Sequence, residues 1–202
     1  MKKELLKFWF ENCLLLVKLW YSFTMLLTRK SGVKVKSNFI SYMEIAKELS
    51  FGMRYKKDPL NGMLDVLTHP TRIQDRINKD QLIDDCDGHA IYWATTLLKT
   101  HLVKNAWFSF IMFGDDSTDA IQGHAVCVFQ DWNDQMFWVD YNKPKNFDNT
   151  SASTWDWCGQ VCKSFSKDDG DLLKPLTAGM IKINKITETD TPVFGEITKK
   201  IF

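Results

Sequence analysis

Three side chains in this sequence have the types and the order needed for attack by a thiol on an amide. Cys86 stands at the predicted start of a helix, His124 begins a predicted strand, and Asp140 ends the next predicted strand. A helix N-terminus stabilises a thiolate through the helix dipole. A nearby imidazole can hold that thiolate as an ion pair and later protonate a leaving amine, while a carboxylate on its second nitrogen fixes the tautomer. We therefore interpret Cys86, His124 and Asp140 as nucleophile, base and orienting acid.

The segments around these residues predict an α+β arrangement, in which a helix precedes an antiparallel sheet. The helical pattern covers residues 86–98. Aromatic and β-branched residues then predict three strands, at 106–113, 124–129 and 136–141. A turn at 131–134 would join the last two strands as a hairpin, and it would make neighbours of His124 and Asp140.

The start of the helix offers further groups for the same chemistry. One of the two aspartates before Cys86 is suited to cap the helix. His89, one turn after Cys86, is a rival base, but it has no evident carboxylate partner on a neighbouring strand, so His124 is preferred. The main-chain N–H of Cys86 and the upstream Gln81 are candidate donors to the oxyanion of a tetrahedral intermediate.

Four short motifs between about residues 50 and 145 resemble the transglutaminase-like superfamily, including its bacterial cysteine-peptidase-like members. They are a lead-in, a nucleophile motif, a histidine strand and an aspartate strand. In chain order they read Tyr55-Lys-Lys-Asp58 with Leu67-Thr-His-Pro70, Asp85-Cys-Asp-Gly-His-Ala90, Gly123-His-Ala-Val126 and Phe137-Trp-Val-Asp-Tyr141. The resemblance implies a papain-like core, with the nucleophile at a helix N-terminus that packs on an antiparallel β-sheet, and it implies the triad Cys86, His124 and Asp140.

The chemistry of such a triad predicts a cysteine-dependent hydrolase. We expect a peptidase or amidase that acts on a peptide or protein substrate through a thioester on Cys86 and uses no metal or organic cofactor. Two alternatives stay open at this point. A protein-glutamine transamidase would use the same groups with an amine in place of water, and a non-catalytic adaptor could be built on the same fold.

Length and composition indicate the domain organisation, the partners and the location. The 202 residues suit one catalytic domain, which we place at 33–202 after an N-terminal helix within 1–32. With 26 basic and 25 acidic residues, the chain lacks the excess positive charge that nucleic-acid binding needs, so we expect no nucleic-acid partner. Five scattered cysteines predict a reducing, cytoplasmic location rather than a disulfide framework. Cys158 and Cys162 are interpreted as buried small residues, with half of a metal site as the alternative.

Residues 5–27 form an apolar segment with helical periodicity. Charges at Lys7, Glu11 and Lys18 interrupt it, which disfavours both a membrane-spanning helix and a signal peptide. These charges and Ser22 fall on one narrow stripe of the helix. Two interpretations remain: the helix packs on its own domain or on a partner protein, or it lies in a membrane interface as a peripheral association. Basic residues that would suit anionic lipid follow it at Arg29, Lys30, Lys34 and Lys36.

The remaining segments carry weaker signals. A helix is predicted at about 41–49, and the prolines near His69-Pro70 predict short helices joined by turns. After Asn142 we expect mostly loops, with one last strand at 180–186.

Overall fold

Most of the described residues belong to helices or strands. A computed structural model describes residues 2–52, 66–81, 85–114, 121–141, 143–146, 154–166 and 173–202, and for 2–13, 50–52 and 143–146 it describes the main chain alone. Some sequence predictions therefore lie outside the described residues. They are the motif at 55–58, the cap at Asp84 and the side chains of Lys7, Glu11 and Cys13.

Within these ranges the chain forms five helices and six strands, which confirms the mixed α+β class. The helices are α1 (Lys2–Thr28), α2 (Tyr42–Gly52), α3 (Pro70–Asn78), α4 (Cys86–Lys99) and α5 (Asp156–Phe165). The strands are β1 (Asn105–Gly114), β2 (Ile121–Gln130), β3 (Met136–Asp140), β4 (Lys143–Asn146), β5 (Lys174–Ile186) and β6 (Pro192–Ile201). The predicted helices at the N-terminus, at 41–49 and at 86–98 correspond to α1, α2 and α4.

All six strands belong to one antiparallel sheet in the order β4-β3-β2-β1-β5-β6. The predicted hairpin between β2 and β3 is present. Its turn is held by the Asp131 carboxylate, which accepts hydrogen bonds from the main-chain N–H groups of Asn133 and Gln135. Asp134 closes the turn in the left-handed conformation, with φ of 62°, which aspartate tolerates better than most residues. This turn sets the register that pairs Gln130 with Met136.

Alternation along the strands gives the sheet two apolar faces. On the first face, α4 packs its Trp93 and Leu97 against side chains such as Cys127 and Phe129 of β2. On the second face, α5 packs against intervening residues such as Val128. The sheet is therefore a central layer between helices, and side chains one residue apart on β2 face opposite helices.

The region after Asn142 is more ordered than predicted. Besides the expected strand, which is the second half of β5, it contains β4, α5 and β6. Helix α5 buries Trp157, Cys158, Val161 and Cys162, and their spacing is that of one face of a short helix. Strand β6 was missed because it is an edge strand in which only Pro192 and Phe194 are buried and the rest carries several polar residues. The prediction of a loop-rich C-terminal region was wrong for these elements.

Helix α1 packs on the half of the sheet that contains β1, β5 and β6. Its Tyr21 and Met25 join the core of the first face, and the Tyr21 ring meets the edge of Phe108 on β1 at 5.5 Å between centroids. The Lys18 ammonium donates to the main-chain carbonyl of Gly195 on β6 at 2.6 Å. Among the described residues, no helix combines the length and the hydropathy needed to cross a bilayer.

The segment after α1 is held by side chains from three other parts of the chain. The Val35 N–H donates to the buried carboxylate of Asp190 in the β5–β6 turn, and Lys99 of α4 pairs with the same carboxylate at 2.7 Å. The Lys36 N–H donates to the side chain of Gln74 on α3. The alternating residues of this segment thus form an extended connection that is bonded to side chains and is not a sheet strand.

Candidate active site

Helix α4 places Cys86 at its first residue. The cysteine is partly exposed, while the helix after it is almost entirely buried. Asp85 occupies the N-cap position with extended backbone angles, but its side chain makes no capping hydrogen bond, so this part of the capping prediction was wrong. The main-chain carbonyl of Asp85 accepts the first helical bond, from the N–H of His89. Cys86 therefore lies where the partial positive charge of the helix N-terminus is strongest.

His124 and Asp140 lie together at the end of the β2–β3 hairpin opposite its turn. The imidazole Nε2 is 2.9 Å from Oδ1 of Asp140. Both residues lie at or beyond the end of the β2–β3 ladder, whose last pair is Cys127 with Val139. The His124 side chain is 4% exposed and that of Asp140 is 17% exposed, so the hydrogen bond is largely shielded from water. The hairpin thus brings His124 and Asp140 together, as the sequence predicted.

Tyr141 connects this pair to helix α4. The residue follows Asp140 in the left-handed conformation, with φ of 51°, and this turns the chain away from the strand. Its carbonyl accepts a hydrogen bond of 2.6 Å from the indole Nε1 of Trp93, two turns along α4 from Cys86. Its ring contacts both His89 and His124, with centroids at 5.0 Å and 5.6 Å. One residue thus touches the histidine of the pair and the first turns of the helix that begins at Cys86.

The imidazole of His124 is enclosed by aromatic rings on the second face of the sheet. Phe165, the last residue of α5, meets it nearly edge-on at 4.8 Å between centroids, and Phe165 in turn packs on Phe113 of β1. Together with Tyr141, these rings restrict how the imidazole can rotate. Sequence reasoning missed Tyr141, Trp93 and Phe165 as site residues. Tyr141 and Trp93 stood inside or beside the recognised motifs, whereas Phe165 lies in a region with no such signal.

His89 occupies a different environment from His124. It is buried, and no carboxylate lies within hydrogen-bonding distance of its ring nitrogens in the described part of the chain. Burial lowers its pKa to about 4, and the charge of His124 acts in the same direction. Asp85, the Tyr141 carbonyl and Asp140 oppose this shift. The residue is therefore neutral at physiological pH, and of these two histidines His124 is the one hydrogen-bonded to a carboxylate.

The other described cysteines differ from Cys86. Cys127, Cys158 and Cys162 are buried, and burial raises the pKa of each thiol, that of Cys162 to about 12. None of the four cysteines in the described ranges forms a disulfide. The same ranges hold no group of three or more metal-ligating side chains, which leaves Cys158 and Cys162 as buried small residues of α5. Among these four thiols, Cys86 alone has solvent access.

Two cavities lie elsewhere on the surface. A cavity of about 490 Å³ lies between α2, α3 and the segment at Lys36–Phe39, and another of about 400 Å³ lies beside α5 and β6. Neither is lined by Cys86, His124 or Asp140. Gln81 follows α3 with an exposed side chain, and residues 82–84 between it and Asp85 lie outside the described ranges, so its role as an oxyanion donor stays a prediction.

Comparisons of this chain with protein-family models, with curated proteins and with solved structures find no match. The resemblance to the transglutaminase-like superfamily and its papain-like core therefore stays a prediction based on the motifs.

The bond between Trp93 and Tyr141 can be tested with a matched pair of substitutions. Trp93→Phe removes the indole donor to Tyr141, whereas Trp132→Phe removes an exposed indole bond of 2.9 Å to the main-chain carbonyl of His101, at the turn end of the β2–β3 hairpin and so at the opposite end from His124 and Asp140. Trp93→Phe should cost about 1–2 kcal/mol in the free energy of unfolding measured with urea, and the exposed control should cost less. Only Trp93→Phe should also slow the alkylation of Cys86, by several-fold, because it loosens β3 from α4. Equal alkylation rates in the two variants would contradict this positioning role.

The burial of His89 predicts a loss of stability in acid. The folded protein protonates this ring only near pH 4, whereas the unfolded chain does so near 6.5. The unfolded state therefore binds more protons in this window, and the free energy of unfolding should fall by up to about 3 kcal/mol as the pH drops through it. His69, which is also buried and has its pKa lowered to about 4, acts in the same direction.

His89→Phe should flatten this pH dependence by roughly half, since His69 remains, and urea titrations at several pH values would measure it. His101→Asn is the matched control, because His101 is exposed and its left-handed backbone tolerates asparagine. The explanation fails if the free energy of unfolding of both variants depends on pH as steeply as that of the parent protein.

Proposed function

We propose that this protein is a cysteine-dependent hydrolase of amide bonds, with Cys86 as nucleophile, His124 as base and Asp140 as orienting acid. The observation that carries the proposal is the shielded 2.9 Å hydrogen bond between His124 Nε2 and Asp140. Through Tyr141, this pair is tied to the helix whose first residue is the partly exposed Cys86. The same three residues lie in the motifs that resemble the transglutaminase-like superfamily, which is consistent with the proposal.

The orientation of His124 assigns a role to each ring nitrogen. A neutral imidazole that donates its Nε2 proton to Asp140 presents Nδ1 as the proton acceptor. The Cys86 thiol would transfer its proton to Nδ1, which gives a thiolate and an imidazolium. The Asp140 carboxylate stabilises the imidazolium, and the N-terminus of α4 stabilises the thiolate.

The reaction then follows in two steps. The thiolate attacks the amide carbonyl carbon, so a C–S bond forms and the carbonyl electrons move to oxygen, where the Cys86 N–H is a candidate donor. The C–N bond breaks as Nδ1–H of His124 protonates the departing amine, and a thioester remains on Cys86. In the second step His124 takes a proton from water, the hydroxide adds to the thioester, and the carboxylic acid leaves as the thiol is restored.

The chemistry also sets conditions on the surroundings. The nucleophile must stay reduced, so the proposal requires a reducing compartment such as the cytoplasm. Water and an amine compete for the same thioester, so a protein-glutamine transamidase is the alternative outcome of the same first step. The acceptor is decided by which of the two reaches the thioester.

Alkylation under controlled pH tests the nucleophile directly. With iodoacetamide near neutral pH, intact-mass and peptide mass spectrometry should find Cys86 modified first, because its thiolate is stabilised while the thiols of Cys127, Cys158 and Cys162 are buried with raised pKa. His124→Ala should slow this reaction by about 10-fold or more. His89→Phe is the matched control and should keep the rate within about twofold, since His89 is the unpaired rival base.

Two results would count against the proposal. Slow, uniform labelling of all cysteines would favour the non-catalytic adaptor, and loss of reactivity in the His89 variant alone would make His89 the base. If the thiol is activated, incubation with a peptide library in the presence of cadaverine separates the two enzymes. Hydrolysed peptides indicate the hydrolase, and cadaverine conjugates indicate the transamidase, with Cys86→Ala as the inactive reference for both.

A further inference from the structure

Helix α1 turns its more polar side toward the sheet and its more apolar side outward. Tyr21 and Met25 are buried against the sheet, Leu14 is also buried, and Lys18 lies on the same side, where its ammonium bonds to the carbonyl of Gly195. The inward face therefore satisfies both its apolar groups and its charge.

The outward face is a continuous apolar surface. Seven large side chains on it are exposed, from 41% for Trp20 to 67% for Leu27. They are Leu15, Leu16, Leu19, Trp20, Phe23, Leu26 and Leu27. At 3.6 residues per turn these positions span an arc of about 140° and a length of about 18 Å. We call this surface the α1 apolar face. A soluble monomer seldom exposes so many large apolar groups together, so such a patch marks an interaction site.

The charges around the α1 apolar face indicate what covers it. From residue 12 to residue 43 the sequence has five Lys or Arg and no Asp or Glu. Lys18 points inward, Lys36 pairs with Glu48, and the charge of Lys30 acts on the carboxylate of Asp75, which leaves the exposed Arg29 and Lys34 just beyond the C-terminal end of the face. Lys34 donates to a main-chain carbonyl, and that bond does not neutralise its charge. An apolar face followed by exposed positive charge is complementary to a bilayer with anionic headgroups.

We propose that α1 docks on a membrane surface with anionic lipids and lies in the interface plane. The leucines and Phe23 enter the acyl boundary, Trp20 lies among the headgroups, and Arg29 and Lys34 contact lipid phosphates. A second copy of the chain suits this face less well, since parallel pairing would bring the same basic residues together. This proposal is independent of the hydrolase proposal.

The packing of α1 shows that docking leaves the candidate active site accessible. Helix α1 packs on β1, β5 and β6 from the first face of the sheet, whereas the His124 side chain lies on the second face, against α5. A membrane held against the outer side of α1 therefore does not cover the site, and a bound enzyme would act on peptides or proteins near the membrane surface.

Vesicle sedimentation of the full chain tests the proposal. The protein should bind phosphatidylcholine vesicles that contain phosphatidylglycerol at least 10-fold more tightly than pure phosphatidylcholine vesicles. Leu26→Glu should weaken binding by 10-fold or more, because it places a charge in the apolar face. Trp132→Glu is the matched control, since Trp132 has a similar exposure, 64% against 62% for Leu26, and lies in the β2–β3 turn. It should bind like the parent protein.

Substitution of the basic residues gives a second test in the same vesicle assay. Arg29→Gln with Lys34→Gln should weaken binding to anionic vesicles by roughly 25-fold, about fivefold for each charge, and should leave binding to neutral vesicles unchanged. Circular dichroism confirms that each variant is folded, and Cys86 alkylation in each variant is a separate readout that does not depend on lipid.

Two results would overturn the proposal. One is equal binding of the parent and Leu26→Glu to anionic vesicles. The other is absence of vesicle binding together with a dimer, seen by analytical ultracentrifugation, that Leu26→Glu dissociates, because a second copy would then cover the α1 apolar face.

Discussion

The hydrogen bond from the Trp93 indole to the Tyr141 carbonyl fixes helix α4 to the end of strand β3. Cys86 begins that helix, and Asp140 ends that strand. The helix packs on the first face of the sheet, whereas the side chains of His124 and Asp140 belong to the second face, as the cross-strand pair of Ile111 with His124 indicates. A link around the end of the sheet is therefore required if the two parts of the site are to keep a fixed geometry.

The residues around His124 fix the orientation of its imidazole. Asp140 holds Nε2, Tyr141 packs on the ring from the side of α4, and Phe165 packs on it from α5. Because these contacts come from three elements, the orientation depends on the fold as a whole. Preorganisation of this kind removes rotational freedom before a substrate binds, which is where much of the advantage of an enzyme over a free imidazole arises.

A feature of the structure could be predicted from the sequence when the residues that cause it are neighbours along the chain. The β2–β3 hairpin could be predicted because aromatic and β-branched strands flank the polar turn at Asp131–Asp134, and that local feature sets the register that brings His124 to Asp140. The contact from Phe165 could not, since it depends on where α5 packs against the sheet. Periodicity placed Lys18 on a polar stripe of α1, but it could not show that Lys18 faces the sheet, because its partner is a main-chain carbonyl 177 residues later.

The central claim is that His124, held by Asp140, stabilises a thiolate at Cys86. Difference ultraviolet absorbance between the protein and Cys86→Ala, recorded across a pH titration, measures that thiolate directly. The account predicts that the Cys86 thiolate is present well below the ordinary thiol pKa of about 8.5 and that His124→Ala shifts its titration upward by at least about one unit. A thiolate that forms only near its ordinary pKa, or at the same pH with and without His124, would contradict it.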